Sequence, residues 1–138
     1  IIMEHFKIAV ALNKELKLPE DHFGESVKFL IYTLKQSEFH FYKSIPNEHK
    51  NEDIEEDHGN PEKGKGIASL LQKEEVDAVI SKSFGKNISI ISKYFLPIIV
   101  KKNDIPNVIK IIEYNTEELI EASKKHKAKP ISKAFKID

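Results

Sequence analysis

An α/β domain with a mixed five-stranded sheet is predicted by three observations. Apolar residues alternate with a period of two in the first third of the chain, the period changes to about 3.6 after residue 66, and helical and short apolar segments then alternate. A chain of 138 residues matches one domain, and its folding buries about two-thirds of the unfolded surface.

Phe6 to Asn13 alternates Phe6, Ile8, Val10 and Leu12 with Lys7, Ala9, Ala11 and Asn13, the pattern of a strand. The alanine face admits a helix at close range, which predicts a central position. Val27 to Leu34 reads as a second strand, apolar on both faces, and Glu38 to Ile45 as a third, with Phe39 and Phe41 on one side. The short link Lys35, Gln36, Ser37 makes these two an antiparallel hairpin. Pro46 to Gly64 is rich in acidic residues and almost without apolar ones, so a long mobile loop is expected. Ile67, Leu70 and Leu71 predict a helix over Gly66 to Glu75, followed by a strand at Ala78 to Ser81.

Asn87 is a candidate cap for a helix with Ile88, Ile91 and Phe95 on its buried face, leading into a strand that ends at Val100. Asp104 caps a helix from Ile105, with Pro106 in its first turn and Val108, Ile109 and Ile112 facing inward. Asn115 and Glu118 have the spacing of a capping box for a last helix through about Lys125. The lysines from Lys124 onward predict a frayed tail. Three consecutive strands followed by helix-strand-helix-strand-helix is the ribonuclease H-like arrangement, three layers with parallel pairing in the second half. A flavodoxin-like sheet would need helices that the front half lacks. We divide the chain into one domain over 1–125 and a lysine-rich tail over 126–138.

Composition narrows the function. Twenty-two basic and twenty-two acidic residues balance, so no net field draws the chain to nucleic acid or a membrane. Every basic residue is Lys, which removes the planar fork that reads phosphates and bases in pairs, and a sequence-specific nucleic-acid reader is disfavoured. With no Cys there is no disulfide and no thiolate ligand, so any metal must use His, carboxylate or backbone. The longest apolar run, Phe95 to Val100, is far too short to span a bilayer, and no signal segment is read at the start; cytoplasm is the default location.

The first chemical candidate is Asp21 to Ser26, where His22 offers a ligand nitrogen and Gly24 beside Phe23 allows tight backbone geometry. Read alone, His22 is a loop side chain that caps a turn. The run His22, Phe23, Gly24, x, Ser26, x, x, Phe29 follows the strand Lys7, Ile8, Ala9, Val10. Gly64 and Gly66 precede the helix of Leu70 and Leu71, and Val76, Asp77, Ala78, Val79 and Ile80 lead to the turn with Gly85. Together these resemble the dinitrogenase iron-molybdenum cofactor biosynthesis family, from about Phe6 to Leu119. The resemblance implies a ribonuclease H-like domain that binds or carries a metal-sulfur cofactor, with His22 as a cluster contact and Gly24 and Gly85 in the loops around it. Lys82 departs from the small residue frequent in the family, and Asn87 from a common second glycine.

The second candidate is Ser81 to Asn87, a strand-to-helix turn whose amides and two lysines suit an anion. It is no Walker loop, because Asn87 replaces the magnesium-binding hydroxyl, and on its own it reads as a plain turn. Together with the resemblance, Phe23, Ser83, Gly85, Lys86 and Asn87 join His22 and Gly24 as expected cofactor contacts. The third candidate is the acidic loop with His49 and His58, nine residues apart; a solvated charge run is the simpler reading, with His58 as a secondary metal contact beside His22. His40 is read as structural, and His5 and His126 as terminal surface residues.

An enzyme is not expected. A two-metal nuclease on this fold needs a carboxylate on the first strand, which carries Ala9, Ala11 and Asn13 instead. No Cys nucleophile, Gly-x-Ser-x-Gly elbow or His-Glu-x-x-His pair is present, and Glu75 and Asp77 read as caps or solvated charges. The sequence therefore points to a carrier of iron-molybdenum cofactor or a related metal-sulfur cluster, with a client or assembly protein as partner. The other class is a regulatory or protein-interaction module without cofactor, and a third is nonspecific contact of the tail with nucleic acid.

Overall fold

The computed structural model describes residues 5–48 and 61–137. Strand β1, Lys7–Leu12, is wholly apolar after Lys7 and lies at the centre of the sheet, with Ile8 and Val10 on one face and Ala9 and Ala11 on the other. It pairs antiparallel with β2, Lys28–Lys35, which forms the expected hairpin with β3, Glu38–Pro46. The hairpin turns at Gln36 and Ser37, both at positive φ, a geometry whose twist suits antiparallel strands.

An irregularity opposite the Ile31/Tyr32 step leaves Tyr42 as an extra residue in β3. Before it, Phe39 packs with Phe6 on the Ile8 face; after it, Ile45 packs with Phe29 on the Ala9 face. Phe41 shares the side of Phe39, as read, but is exposed and meets the Tyr32 ring edge-on.

Helix α1, Pro61–Gln72, begins five residues before the expected start at Gly66. Glycines cost a helix about 1 kcal/mol each relative to Ala, which argues for a later start; the packing of Ile67, Ala68 and Leu71 over Ala9 and Ala11 outweighs that cost. Each such fully buried Ile or Leu contributes about 1.5–3 kcal/mol. Strand β4, Ala78–Ser81, then pairs parallel with β1. At the base of the sheet Asp77 accepts the Lys7 amide at 2.9 Å and pairs with Lys127, the structural task expected of it.

Helix α2, Ile88–Ile91, and strand β5, Leu96–Val100, follow. Asn87 stands at the N-cap of α2 without a capping side-chain bond, contrary to expectation. Helix α3, Ile105–Tyr114, does carry the predicted cap: Asp104 accepts the Asn107 amide at 3.3 Å. The predicted capping box at Asn115 does not form, because the Asn115 amide turns back to the Ile111 carbonyl at 2.8 Å.

Helix α4, Thr116–Ala128, outruns its expected end, and the lysine-rich tail is not frayed. Phe135–Ile137 forms β6, parallel to β5, with Ile137 buried. The sheet therefore has six strands, in the order β3-β2-β1-β4-β5-β6, rather than five. The α1–α2 and α3–α4 pairs cover opposite faces of this mixed sheet, each over its own apolar cluster. Among the described residues, no helix is long and apolar enough to cross a membrane.

Candidate functional site

The segments after β1 and β4 leave the same end of the sheet, because the two strands run parallel. Crevices outside the carboxyl ends of parallel strands are where ligands collect in open α/β sheets. Here the segments touch. The Phe23 amide donates to the Ser83 carbonyl at 2.8 Å, and His22 Nδ1 lies 2.7 Å from Ser83 Oγ. Lys82 reaches back to Glu20 at 2.6 Å.

Gly85 fixes the third contact. Its φ is +66°, and a Cβ there would stand 2.7 Å from the imidazole carbons of His22. Only a residue without a side chain lets the ring lie this close. The His22–Ser83 bond admits either direction; in the tautomer whose Nδ1 donates to the hydroxyl, Nε2 is the basic nitrogen of the ring, and a second partner orients a metal-bound histidine in this way.

Phe23 has a different place from the one expected. Its ring is buried and packs on Phe29 and Phe84, at centroid distances of 5.0 and 5.2 Å. It anchors the loop in the core, because an apolar ring gains most where water is excluded. Gly24 lies in the short 3-10 turn Phe23–Glu25 without a positive φ, and the positive φ of this site is at Gly85.

Two residues that the sequence did not single out, Lys63 and Asn47, complete the site together with Gly64. Lys63, on the first turns of α1, is buried with its stem against Gly24 and its ammonium on Glu25. Asn47 donates to the carbonyls of Gly24 and Ser26 at 3.0 and 2.9 Å, holding the His22 loop from the β3 side. Gly64 meets Asn87, whose Cγ would stand 2.9 Å from a Cβ at this position. The glycine thus lets α1 approach the turn, and Asn87 serves as packing partner to α1. Lys63 and Asn47 gave no signal because both fall within the acidic stretch read as loop.

Of the two lysines expected to hold an anion, Lys82 is taken up by Glu20, while Lys86 is exposed. Beneath the turn, the Ser81 hydroxyl is buried without a hydrogen-bond partner among the described residues. His49 and His58, with most of the acidic stretch, lie outside the described residues. Among those described, no group of three or more His, Asp or Glu side chains is placed to hold a metal ion. What the site offers is one oriented imidazole, one exposed cation and the amides of a glycine turn.

No curated protein matches the chain. The family described as dinitrogenase iron-molybdenum cofactor matches residues 5–90. That stretch runs from β1 into α2, holds both loops, Asn47, Lys63 and Gly64, and ends short of the Leu119 limit read from the sequence. Because the match spans well over half the chain and contains every residue of the two loops, the chain belongs to the dinitrogenase iron-molybdenum cofactor family.

Proposed function

We propose that this protein is a non-enzymatic carrier of a metal-sulfur cofactor, iron-molybdenum cofactor or a related cluster, which it passes to a client or assembly protein. The observation that carries this reading is the seating of the His22 ring on Gly85 with Nδ1 on Ser83. An imidazole fixed in this way offers one coordination bond without losing rotamer freedom on binding. Lys86 and the turn from Ser83 to Asn87 supply charge and amide dipoles for an anionic cargo. One ligand with electrostatic support suits a carrier, which must release what it holds. The strand order β3-β2-β1-β4-β5 supports a ribonuclease H-like reading of the sheet, with β6 added at its edge.

The test is an anaerobic titration with an iron-molybdenum-sulfur cluster, followed by desalting and by visible absorption and metal analysis of the protein fraction. Stoichiometric retention is expected, with affinity at least about tenfold weaker for His22→Ala, a loss in the range for disturbed metal ligation. Equal retention by both proteins removes His22 from the site. A colourless, metal-free wild-type protein favours a regulatory or protein-interaction module.

A further inference from the structure

A second cavity lies on the opposite side of the molecule from α1, beyond the residues matched by the family. It is an open cavity of about 540 Å³ between α4, the start of β5 and the segment that leads into β6. Its apolar walls are Leu96, Ala122, Ile131, Ala134 and Phe135. Cavities of this size with few polar groups are where small molecules bind.

His126 gives this cavity a polar point. Expected as a surface residue, it is only 6% exposed and lines the cavity. Its Nε2 lies 2.5 Å from the Ser92 carbonyl, which can only accept, so Nε2 carries the proton of this bond. Among the described residues no hydrogen bond engages Nδ1 of this ring. The ring lines the cavity, so Nδ1 is the ring nitrogen left to meet a ligand group there.

The rim supplies the sign of the ligand's charge. Lys125, Lys129 and Lys133 line the cavity with Glu118 and Glu121, a balance of three cations to two anions. Lys125, Lys129 and Lys133 are exposed and form no ion pair among the described residues, so they remain available to an incoming anion.

We propose that this cavity is a binding site for a small apolar carboxylate, its tail against Leu96, Ala122 and Phe135 and its carboxyl group on Nδ1 of His126 beside the lysine rim. One proton, carried by the ring or by the ligand, is shared between Nδ1 and the carboxyl group. The site is independent of the cofactor reading, since none of its residues belongs to the His22 and Gly85 loops.

The test uses the full chain with decanoate as probe and decanol as the same tail without the anion. Binding is followed by calorimetry and by the imidazole nitrogen resonances of His126. Saturable 1:1 binding of decanoate is expected, with a shift of the Nδ1 resonance and at least about fivefold weaker binding of decanol. Lys125→Glu, at an exposed position, should weaken decanoate about three- to tenfold, in line with loss and reversal of one charge contact. Ala122→Phe should fill the cavity and abolish binding. No saturable binding by the wild-type chain, or undiminished binding by a folded Ala122→Phe protein, overturns the site. Equal binding of decanol overturns the carboxylate.

Discussion

At Gly85 the backbone turns with φ +66°, and the His22 ring occupies the place where a side chain would begin. Gly85→Ala therefore has two costs, the left-handed backbone and the displaced imidazole. We expect a loss of about 1–3 kcal/mol in urea unfolding, together with cluster retention as weak as that of His22→Ala. A stable Gly85→Ala protein with full retention would show that ring and turn are not coupled. The Lys63–Glu25 pair is asymmetric in a way that mutants can read. Lys63 is 2% exposed and Glu25 about 18%. Glu25→Ala takes a carboxylate away from a buried ammonium and should cost about 2–3 kcal/mol, somewhat below a fully buried pair because water reaches the carboxylate. Lys63→Met keeps the packed stem, leaves a carboxylate that water can reach, and should cost about 1 kcal/mol or less. The reverse order in denaturant midpoints would refute this account of the pair.

At the scale of elements, caps divide the helices into those set locally and those set by packing. The Asp104 carboxylate is held below the ordinary range, chiefly by the hydrogen bonds from the Asn107 side chain at 2.9 and 3.0 Å, with smaller help from backbone amides and Lys17. A carboxylate lowered on folding stabilises the fold fully above its unfolded value and loses that contribution as pH falls through the folded one. The wild-type protein should thus lose stability more steeply than Asp104→Asn, whose amide does not titrate, as pH falls through and below the ordinary carboxylate range. Parallel stability curves for the two proteins would remove Asp104 from the acid response. The other two expected caps do not operate, since Asn115 bonds backward to Ile111 and Asn87 meets Gly64. Their helices depend on apolar contacts of Leu119 and Ile91 instead.

For the molecule as a whole, the last ten residues close the sheet. Strand β6 pairs with β5 through Ile98, Ile99 and Val100, and it buries Ile137. Ending the chain after Ala128 exposes the backbone of β5 and opens the wall of the His126 cavity. We expect a loss of about 2–4 kcal/mol from the apolar area of Ile137 and Phe135 and self-association through the new edge, read by urea unfolding and size-exclusion chromatography. Unchanged stability and a monomeric elution would make β6 dispensable. The first 90 residues carry the family match and the His22–Gly85 site, whereas the His126 cavity is built by residues 96–135. The two sites can therefore be altered separately.

Local order determined much of this protein. Alternation along Phe6 to Asn13, the short link at Gln36 and Ser37, and Asp104 before Pro106 are properties of neighbouring residues, and the corresponding elements stand where periodicity puts them. Gly85 was legible for a similar reason, since a loop that must bend sharply announces itself by residue type, whereas the His-Phe-Gly run was legible through its resemblance to a known family. Tertiary structure decided what sequence neighbours cannot carry. The early start of α1 depends on β1 alanines some 50 residues away, and the burial of Lys63 on a partner in another loop. In β6 only three residues pair, too few for a period to appear, and the strand exists because β5 offers an unpaired edge. Histidine 126 was read as exposed because lysines surround it in sequence, yet helix geometry turns Leu119, Ser123 and His126 inward together. Period and turn chemistry are short-range and survive in one dimension; burial and ion pairing arise only when distant segments meet and water is excluded.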